Sequence, residues 1–390
     1  MTSYKRLGSR YKALYRLVRA SKTLVSTALP FTGIPGWRTN VTPSEIKTTI
    51  MSFITLFFIL GASTAIACSG SNECDKEVTI ESVTGLFEHA EGLHWNHRSQ
   101  RMYFVDIDQQ KVCRLDPATG EVTWAYVENG PVGFVIPVED WPYRFCAGSG
   151  RDFILIVWND KNNNSRPVIE TLATVDSNHP GNRWNDGKAD SHGRFWGGTI
   201  GPEKDSVVVP NQASFYRIDT DLKPKIAISP VTNSNGLIWN IEDNILYYID
   251  TPTRQIAAYD FDANLGVISN KRIVFDFAVH GIEGLPDGMT IDDRGKLWVA
   301  MYGNGTVRNV DPETGELLKT IEIPATKVTT VAFGGPLMDT LYTATSGRDL
   351  SAEERKRTPF AGSIFAVKNL GVRGLISNEF RMEYSAPKKQ

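Results

Sequence analysis

The strongest constraint on the fold of this chain is a pattern that recurs from about residue 78 to residue 385. Short runs of β-forming residues alternate with turns rich in Gly, Pro, Asn and Asp, and there is almost no sustained helical periodicity. One aromatic position returns at intervals of 93, 51, 51 and 44 residues, and it is occupied by Tyr103, Trp196, Tyr247, Trp298 and Tyr342. The body of the protein is therefore predicted to be an all-β repeat structure.

The first of these intervals has room for two repeats, and the segments 144–150 and 153–158 fill the missing one. The chain then contains six repeats of about 40–50 residues, each with room for four short strands, which is the pattern of a propeller blade. The sequence indicates no second folded domain. We therefore predict a six-bladed β-propeller over residues 76–390 and expect a monomer.

Charge is distributed unevenly along the 390 residues, although the formal net charge is only -2. Residues 1–50 contain nine basic residues and one acid, whereas residues 51–390 contain 33 basic and 43 acidic residues. An acidic body repels nucleic acid and anionic membrane surfaces, but it tolerates metal cations and neutral substrates. We expect no nucleic-acid partner and a neutral small molecule as the substrate.

An uncharged, mostly apolar run covers residues 51–67 and ends in Ala65-Ile66-Ala67. Such a run before small residues is typical of a signal peptide, and an uncleaved version would be a signal anchor, the only expected membrane contact. The basic segment 1–50 is either a leader or a region upstream of a start at Met51, and its first 29 residues also resemble a mitochondrial leader. We predict a secreted or lumenal protein, with an anchored and a mitochondrial protein as alternatives.

Four cysteines, Cys68, Cys74, Cys113 and Cys146, are too few for a disulfide scaffold and form no C-x-x-C pair. Cys68 and Cys74 are close enough in sequence to pair in an oxidising compartment. The other two lie in apolar strand contexts, and we predict that both are buried free thiols.

Four short islands place a polar residue beside Gly within otherwise apolar strand sequences. They are Glu91-Gly92, Asn185-Asp186-Gly187-Lys188, Ser234-Asn235-Gly236 and Pro286-Asp287-Gly288-Met289. A single pair of this kind is most simply explained as a hairpin turn. The islands, however, are spaced by 94, 50 and 52 residues, which is the repeat length with one blade skipped. They are therefore predicted to converge at the propeller axis.

Three of these islands carry oxygen ligands for a cation. Glu91 and Asp287 offer carboxylates and Asn235 offers an amide oxygen, a set that suits Ca²⁺, Mg²⁺ or Mn²⁺ and, less selectively, Zn²⁺. Three protein ligands leave positions open for water and substrate, as in a catalytic site. We predict one divalent cation per chain. His94 and His97 form no zinc-binding pattern and are predicted to be packing or surface residues.

The islands resemble the senescence marker protein/gluconolactonase/luciferin-regenerating enzyme-like family. The resemblance is carried by NRWNDGK at 182–188, SNGLIW at 234–239 and PDGMTIDDRGKLWVA at 286–300, and it extends over about residues 80–385. It independently implies a six-bladed propeller. It also implies that Glu91, Asn235 and Asp287 bind the divalent metal and that Asp287 is the general base.

Substrate-binding residues follow from the same resemblance. Arg183 and Asn185 match substrate-contacting positions of the family, Asp186 follows them as in the family, and Glu203 occupies the place of a further substrate-contacting acid. The implied reaction is hydrolysis of a sugar lactone such as gluconolactone, in which the cation polarises the carbonyl and Asp287 takes a proton from the attacking water. Close relatives lack a leader of about 75 residues, so a cytosolic location follows only if the leader is absent.

The same ligands are compatible with other functions. A calcium-binding regulatory protein would hold Ca²⁺ there without turnover, and organophosphate hydrolysis or luciferin regeneration would use the pocket for another ligand. The loop with Arg183, Asn185 and Asp186 favours an enzyme, because a pure ion site needs no substrate loop. A serine nucleophile is disfavoured, because the sequence has no G-x-S-x-G motif.

Overall fold

The computed structural model describes residues 77–383, except residues 162, 164–165 and 205–206. Within these residues, 26 β-strands form six four-stranded antiparallel sheets and one two-stranded hairpin. The sheets are the blades of a six-bladed propeller, so the predicted all-β fold class is confirmed. The predicted leader (1–50), the apolar segment (51–67) and the pair Cys68 and Cys74 lie outside the described residues.

Blades 1 to 3 occupy the first half of the body. Blade 1 contains β2 (Ala90–Asn96), β3 (Arg101–Asp106), β4 (Lys111–Asp116) and β5 (Glu121–Tyr126), and blade 2 contains β6 (Val132–Pro137), β7 (Arg144–Ser149), β8 (Asp152–Val157) and β9 (Val168–Thr174). Blade 3 contains β10 (Arg183–Ala189), β11 (Phe195–Ile200), β14 (Ala213–Ile218) and β15 (Pro224–Val231). The small hairpin of β12 (Glu203–Lys204) and β13 (Val207–Val208) is inserted between β11 and β14.

Blades 4 to 6 complete the ring. Blade 4 contains β16 (Ser234–Trp239), β17 (Ile245–Asp250), β18 (Gln255–Asp262) and β19 (Val267–Asp276), and blade 5 contains β20 (Leu285–Ile291), β21 (Leu297–Tyr302), β22 (Thr306–Asp311) and β23 (Glu316–Glu322). Blade 6 contains β24 (Val328–Gly334), β25 (Thr340–Thr345), β26 (Ile364–Lys368) and β1 (Thr79–Ser82). A short turn of 3₁₀ helix, Thr251–Thr253, follows β17, and one α-helix, α1 (Ala352–Arg357), precedes β26 in the described part of the chain.

The ring is closed by a strand from the other end of the described chain. Strand β1 pairs antiparallel with β26, with Thr79 opposite Lys368 and Ser82 opposite Phe365, so it becomes the outermost strand of blade 6. The innermost strands β2, β6, β10, β16, β20 and β24 contact one another in that order, and β24 contacts β2. The six inner strands therefore surround one central axis.

The recurring aromatic residue lies on the second strand of its blade, which confirms the predicted repeat. In blades 3 and 5 this residue is a buried tryptophan held by a buried aspartate. The indole Nε1 of Trp196 donates to Asp190 Oδ2 and that of Trp298 donates to Asp292 Oδ2, each at 2.9 Å. These hydrogen bonds fix the turn between the first and second strands, because each aspartate also accepts from backbone N–H groups of that turn.

The glycines of the islands allow the inner strands to approach one another closely. A Cβ atom on Gly236 of β16 would lie 2.6 Å from the carbonyl oxygen of Asp287 on β20, far inside van der Waals contact. Gly288 of β20 similarly faces Thr330 of β24. The islands are parts of inner strands rather than hairpin turns.

The chain after β26 crosses one end of the propeller. Phe380 is fully buried, with its ring centroid 5.5 Å from that of Phe153 in blade 2, and its backbone forms hydrogen bonds with Pro137 and Glu139. Cys113 and Cys146 are buried and free, as predicted, and burial raises the pKa of both thiols. Among the described residues, no helix has the length and apolar character needed to span a membrane.

Candidate active site

All four polar islands lie in inner strands, at the point where pairing with the second strand shifts register. The shifts fall between Glu91 and His94 in β2, Trp184 and Gly187 in β10, Ser234 and Leu237 in β16, and Pro286 and Met289 in β20. Such irregularities interrupt the alternation of side chains and re-aim them. The same irregularity in four blades explains why residues far apart in sequence converge.

Three buried carboxyl groups from blades 1, 3 and 5 meet at this level. Burial, with a smaller contribution from the neighbouring Asp186, raises the pKa of Glu91 to about 8. Burial also raises the pKa of Asp287, and repulsion from Glu91 and Asp186 adds to this effect. The pKa of Asp186 is raised by burial as well. The three groups are close enough to repel one another, and their burial together is unfavourable without compensating positive charge.

Two basic side chains supply part of that compensation. Lys188 Nζ donates to the carbonyl oxygen of Met289 at 2.7 Å. Burial lowers the pKa of Lys188, while Asp186 and Glu91 oppose this shift. Arg183 is the second such group, and its charge lowers the pKa of Glu91. The three buried carboxyl groups are therefore accompanied by positive charge, of which Lys188 and Arg183 supply part.

Asn235 is oriented by a hydrogen-bonded threonine. Its Nδ2 donates to Thr251 Oγ1 at 2.8 Å, and Thr251 Oγ1 donates to the carbonyl oxygen of Pro286 at 2.9 Å. This arrangement turns Asn235 Oδ1 away from Thr251. Asn235 is 3% exposed, and no described residue donates a hydrogen bond to its Oδ1. A buried amide oxygen without a donor is unusual and requires a partner.

The residues at this place fit a divalent cation. Within residues 77–383 as described, no group of three or more His, Cys, Asp or Glu side chains could hold a metal ion. The predicted set differs from such a group because it contains two carboxylates and one amide oxygen. The fit therefore rests on Asn235 Oδ1, which accepts no hydrogen bond from a described residue. This oxygen lies beside the mutually repelling carboxyl groups of Glu91 and Asp287. Oxygen donors of this kind suit Ca²⁺, Mg²⁺ or Mn²⁺.

The predicted substrate-binding residues Arg183 and Asn185 are in direct contact. Arg183 Nη1 donates to Asn185 Oδ1 and to the carbonyl oxygen of Trp184, each at 2.9 Å. Asn185 Nδ2 donates to the carbonyl oxygen of Ser234 at 2.8 Å. This network joins β10 to β16 beside Asn235, so both side chains are held next to this predicted cation ligand.

Glu203 lies farther out than the other predicted residues. It begins the small hairpin of blade 3, and its side chain is 39% exposed. Its Oε2 accepts from Arg348 Nη2 at 2.9 Å. Glu203 still acts electrostatically on the buried Arg183, so it belongs to the rim above the site.

A cavity of about 250 Å³ lies on the axis and is lined by Asp186 and Lys188, but not by Glu91, Asn235 or Asp287. Its wall includes one inner-strand residue or more from each of the six blades, as shown by Leu93, Val135, Lys188, Ile238, Thr290 and Thr330, together with residues 375–378. His94 also lines it, and burial, with a smaller contribution from Lys188, lowers the pKa of His94 to about 3. His94 is therefore a buried neutral group, in agreement with the prediction of a packing residue.

Two residues of the site carry no recognisable signal in the sequence. Thr251 orients Asn235 but lies in an ordinary turn sequence, Asp250-Thr-Pro-Thr. Arg348 contacts Glu203 from a different blade, 145 residues away in sequence. Both depend on contacts between blades, which repeat spacing does not reveal.

Residues 89–347 match the sequence profile of the SMP-30/Gluconolactonase/LRE-like region. This match covers more than half of the chain, and the chain belongs to that family.

Regucalcins are among its relatives. Regucalcin of Xenopus laevis is 37% identical over 305 residues, which cover 78% of this chain and 98% of that protein. Human regucalcin is 36% identical over 282 residues, with coverage of 72% and 91%. The solved structure of a luciferin-regenerating enzyme is 34% identical, with a TM-score of 0.74 and coverage of 78% and 100%. Regucalcin of Agrobacterium tumefaciens, described as a calcium-binding protein, shares the fold at 22% identity and a TM-score of 0.68, with coverage of 77% and 97%.

Proposed function

We propose that this protein hydrolyses sugar lactones at a divalent cation held by Glu91, Asn235 and Asp287. One observation carries the proposal: the buried Asn235 Oδ1 has no donor among the described residues and lies beside carboxyl groups that repel one another. Membership in a family that includes gluconolactonases supports the choice of substrate.

The cation, when bound, would supply Lewis-acid polarisation of the lactone carbonyl and offset the charge of the carboxylates. A carboxylate oxygen of Asp287 takes the proton from the attacking water. The water oxygen then bonds to the carbonyl carbon, the ring C–O bond breaks, and the released ring oxygen receives the proton from Asp287. The product is the open hydroxy acid.

Arg183 and Asn185 would hold the ring of the substrate. Their mutual hydrogen bond and the bond from Asn185 to Ser234 keep both side chains in fixed positions beside Asn235. Fixed donors and acceptors orient the substrate and lower the entropic part of the barrier. We expect Arg183→Ala to raise KM more than it lowers kcat.

The test is hydrolysis of gluconolactone by the wild-type protein and by Asp287→Ala, with the exposed Glu283→Ala as a matched control. Loss of the general base should lower kcat by a factor of about 10²–10⁴, and the control should retain activity. Full activity of Asp287→Ala would exclude the mechanism. A phosphotriester should be assayed in parallel. Hydrolysis of the lactone alone would exclude an organophosphate hydrolase. Cation binding without turnover of either would instead favour a calcium-binding protein.

A further inference from the structure

One guanidinium group connects three blades at the rim of the site. Arg348, in the loop after β25 of blade 6, places Nη2 2.9 Å from Glu203 Oε2 of blade 3. Its Nε lies 3.7 Å from Asp108 Oδ2, in the turn after β3 of blade 1. Asp108 is in turn 3.8 Å from the ring nitrogen Nδ1 of His89. These contacts link segments that share no sheet.

The loop that carries Arg348 is anchored. The backbone N–H of Arg348 donates to Ser346 Oγ at 3.1 Å, and its carbonyl oxygen accepts from Lys327 Nζ at 2.6 Å. The carbonyl oxygen of Gly347 accepts from Arg355 of α1 at 3.0 Å. The side chain of Arg348 is 30% exposed. The backbone that carries this side chain is therefore held in place by the structure around it.

The linked charges act electrostatically on Arg183, a buried basic residue of the proposed site. Burial lowers the pKa of Arg183, Asp108 and Glu203 oppose this shift, and Arg348 adds to it. Tyr302, whose pKa burial raises to about 12, is influenced by Asp287, Arg348 and Glu203 together. The proposed general base Asp287 and the rim residues Arg348 and Glu203 therefore act on the same side chain, that of Tyr302.

The magnitude of these ion pairs favours a positioning role over a stabilising one. Partly exposed pairs contribute about 0–1 kcal/mol to folding. Without Arg348, however, Glu203 would lose the hydrogen bond that orients its carboxyl group. A carboxylate that moves freely is a poor acceptor for a substrate hydroxyl, because its orientation must be fixed on binding.

We propose that Arg348 is a positioning residue that fixes Glu203 at the rim and thereby selects lactones that carry ring hydroxyl groups. Arg348 acts through Glu203 and does not touch the reacting atoms. This inference rests on the proposed lactone hydrolysis and adds a determinant of its substrate class.

The test compares gluconolactone with δ-valerolactone, which has no hydroxyl group for Glu203. Arg348→Met should raise KM for gluconolactone about tenfold, the loss of roughly one charge-assisted hydrogen bond, with less than about twofold change in kcat. KM for δ-valerolactone should be unchanged. Arg348→Lys should restore part of the effect. The matched control is Arg272→Met, which breaks an ion pair with Asp260 on the outer strands of blade 4.

A double-mutant comparison shows whether Arg348 acts through Glu203. In a Glu203→Gln background, Arg348→Met should cause no further rise in KM, because the group that it positions is already lost. Additive effects, or equal effects on the two lactones, would overturn the inference.

Amide hydrogen exchange gives a readout that does not depend on turnover. In Arg348→Met, exchange in the β12–β13 hairpin should accelerate by about threefold or more, because its link to blade 6 is lost. If the wild-type protein hydrolyses neither lactone, the proposed function fails and hydrogen exchange alone decides whether Arg348 positions this hairpin. Unchanged exchange would contradict the inference.

Discussion

The side-chain amide of Asn235 is 2.8 Å from the hydroxyl of Thr251, and this hydrogen bond determines which way the amide oxygen points. The same hydroxyl donates to the carbonyl oxygen of Pro286, next to Asp287 in sequence. Thr251 thus connects two of the three proposed cation ligands. The proposed cation site therefore depends on a residue that would not itself be a ligand.

Removing this hydroxyl should weaken cation binding. We expect Thr251→Val to lower the affinity for Ca²⁺ by about tenfold or more, because Asn235 loses the acceptor that orients its oxygen. Isothermal calorimetry on chelator-treated protein measures this effect. Thr251→Ser retains the hydroxyl and should bind as the wild type does. Unchanged affinity in Thr251→Val would show that Thr251 does not orient a ligand.

Asp287 should contribute to function at a cost to stability. We expect Asp287→Asn to unfold at a higher temperature than the wild type when both are free of cation, because one of three mutually repelling buried carboxyl groups is removed. Added Ca²⁺ should stabilise the wild type more than the variant. Thermal unfolding with chelator and with Ca²⁺ measures both effects. The view would be contradicted if the variant were less stable than the wild type without cation, or if Ca²⁺ stabilised both proteins equally.

The aspartate beneath Trp196 should be important for folding. Asp190 is fully buried and accepts from Arg194 Nε at 2.6 Å as well as from Trp196. Asp190→Ala should lower the free energy of unfolding by about 3–5 kcal/mol, because it leaves a buried guanidinium without its carboxylate partner. Urea denaturation measures this loss.

Blade 5 provides a matched comparison for that prediction. Asp292 makes the equivalent bond to Trp298, but Lys296, which occupies the position of Arg194 in its turn, pairs with Asp311 instead, at 2.7 Å. Asp292→Ala should therefore destabilise less than Asp190→Ala. Equal losses would mean that the Arg194 ion pair contributes nothing.

The N-terminal prediction concerns residues outside the described part of the chain. If residues 51–67 are a cleaved signal peptide, protein recovered from the secretory route should begin near Cys68. Mass spectrometry of the N-terminal peptide determines the start. An intact Met1 terminus on the native protein would exclude both cleavable leaders.

The sequence predicts the parts of this structure that repeat. Tyr103, Trp196 and Trp298 mark their blades because each is buried on the second strand of its blade. Glu91, Asn235 and Asp287 are recognisable for the same reason, since residues that converge on the axis share the blade period. Their meeting at the axis follows from six equivalent inner strands.

Features that join different blades are not visible in the sequence. The pairing of β1 with β26, the role of Thr251 and the ion pair between Arg348 and Glu203 all link distant segments, and no local pattern encodes them. Helix α1 is an intermediate case. Its capping box of Ser351 and Glu354 is readable in the sequence, but six residues are too few for a periodic signal.

The central claim is that a cation held by Glu91, Asn235 and Asp287 supports lactone hydrolysis. The most direct measurement is the rate of gluconolactone hydrolysis by chelator-treated protein that is reloaded separately with Ca²⁺, Mg²⁺, Mn²⁺ or Zn²⁺. We expect the treated protein to be inactive, at least one cation to restore turnover, and Asn235→Ala to need far more of it. Full turnover after removal of the cation, or restoration that is insensitive to Asn235→Ala, would contradict the claim.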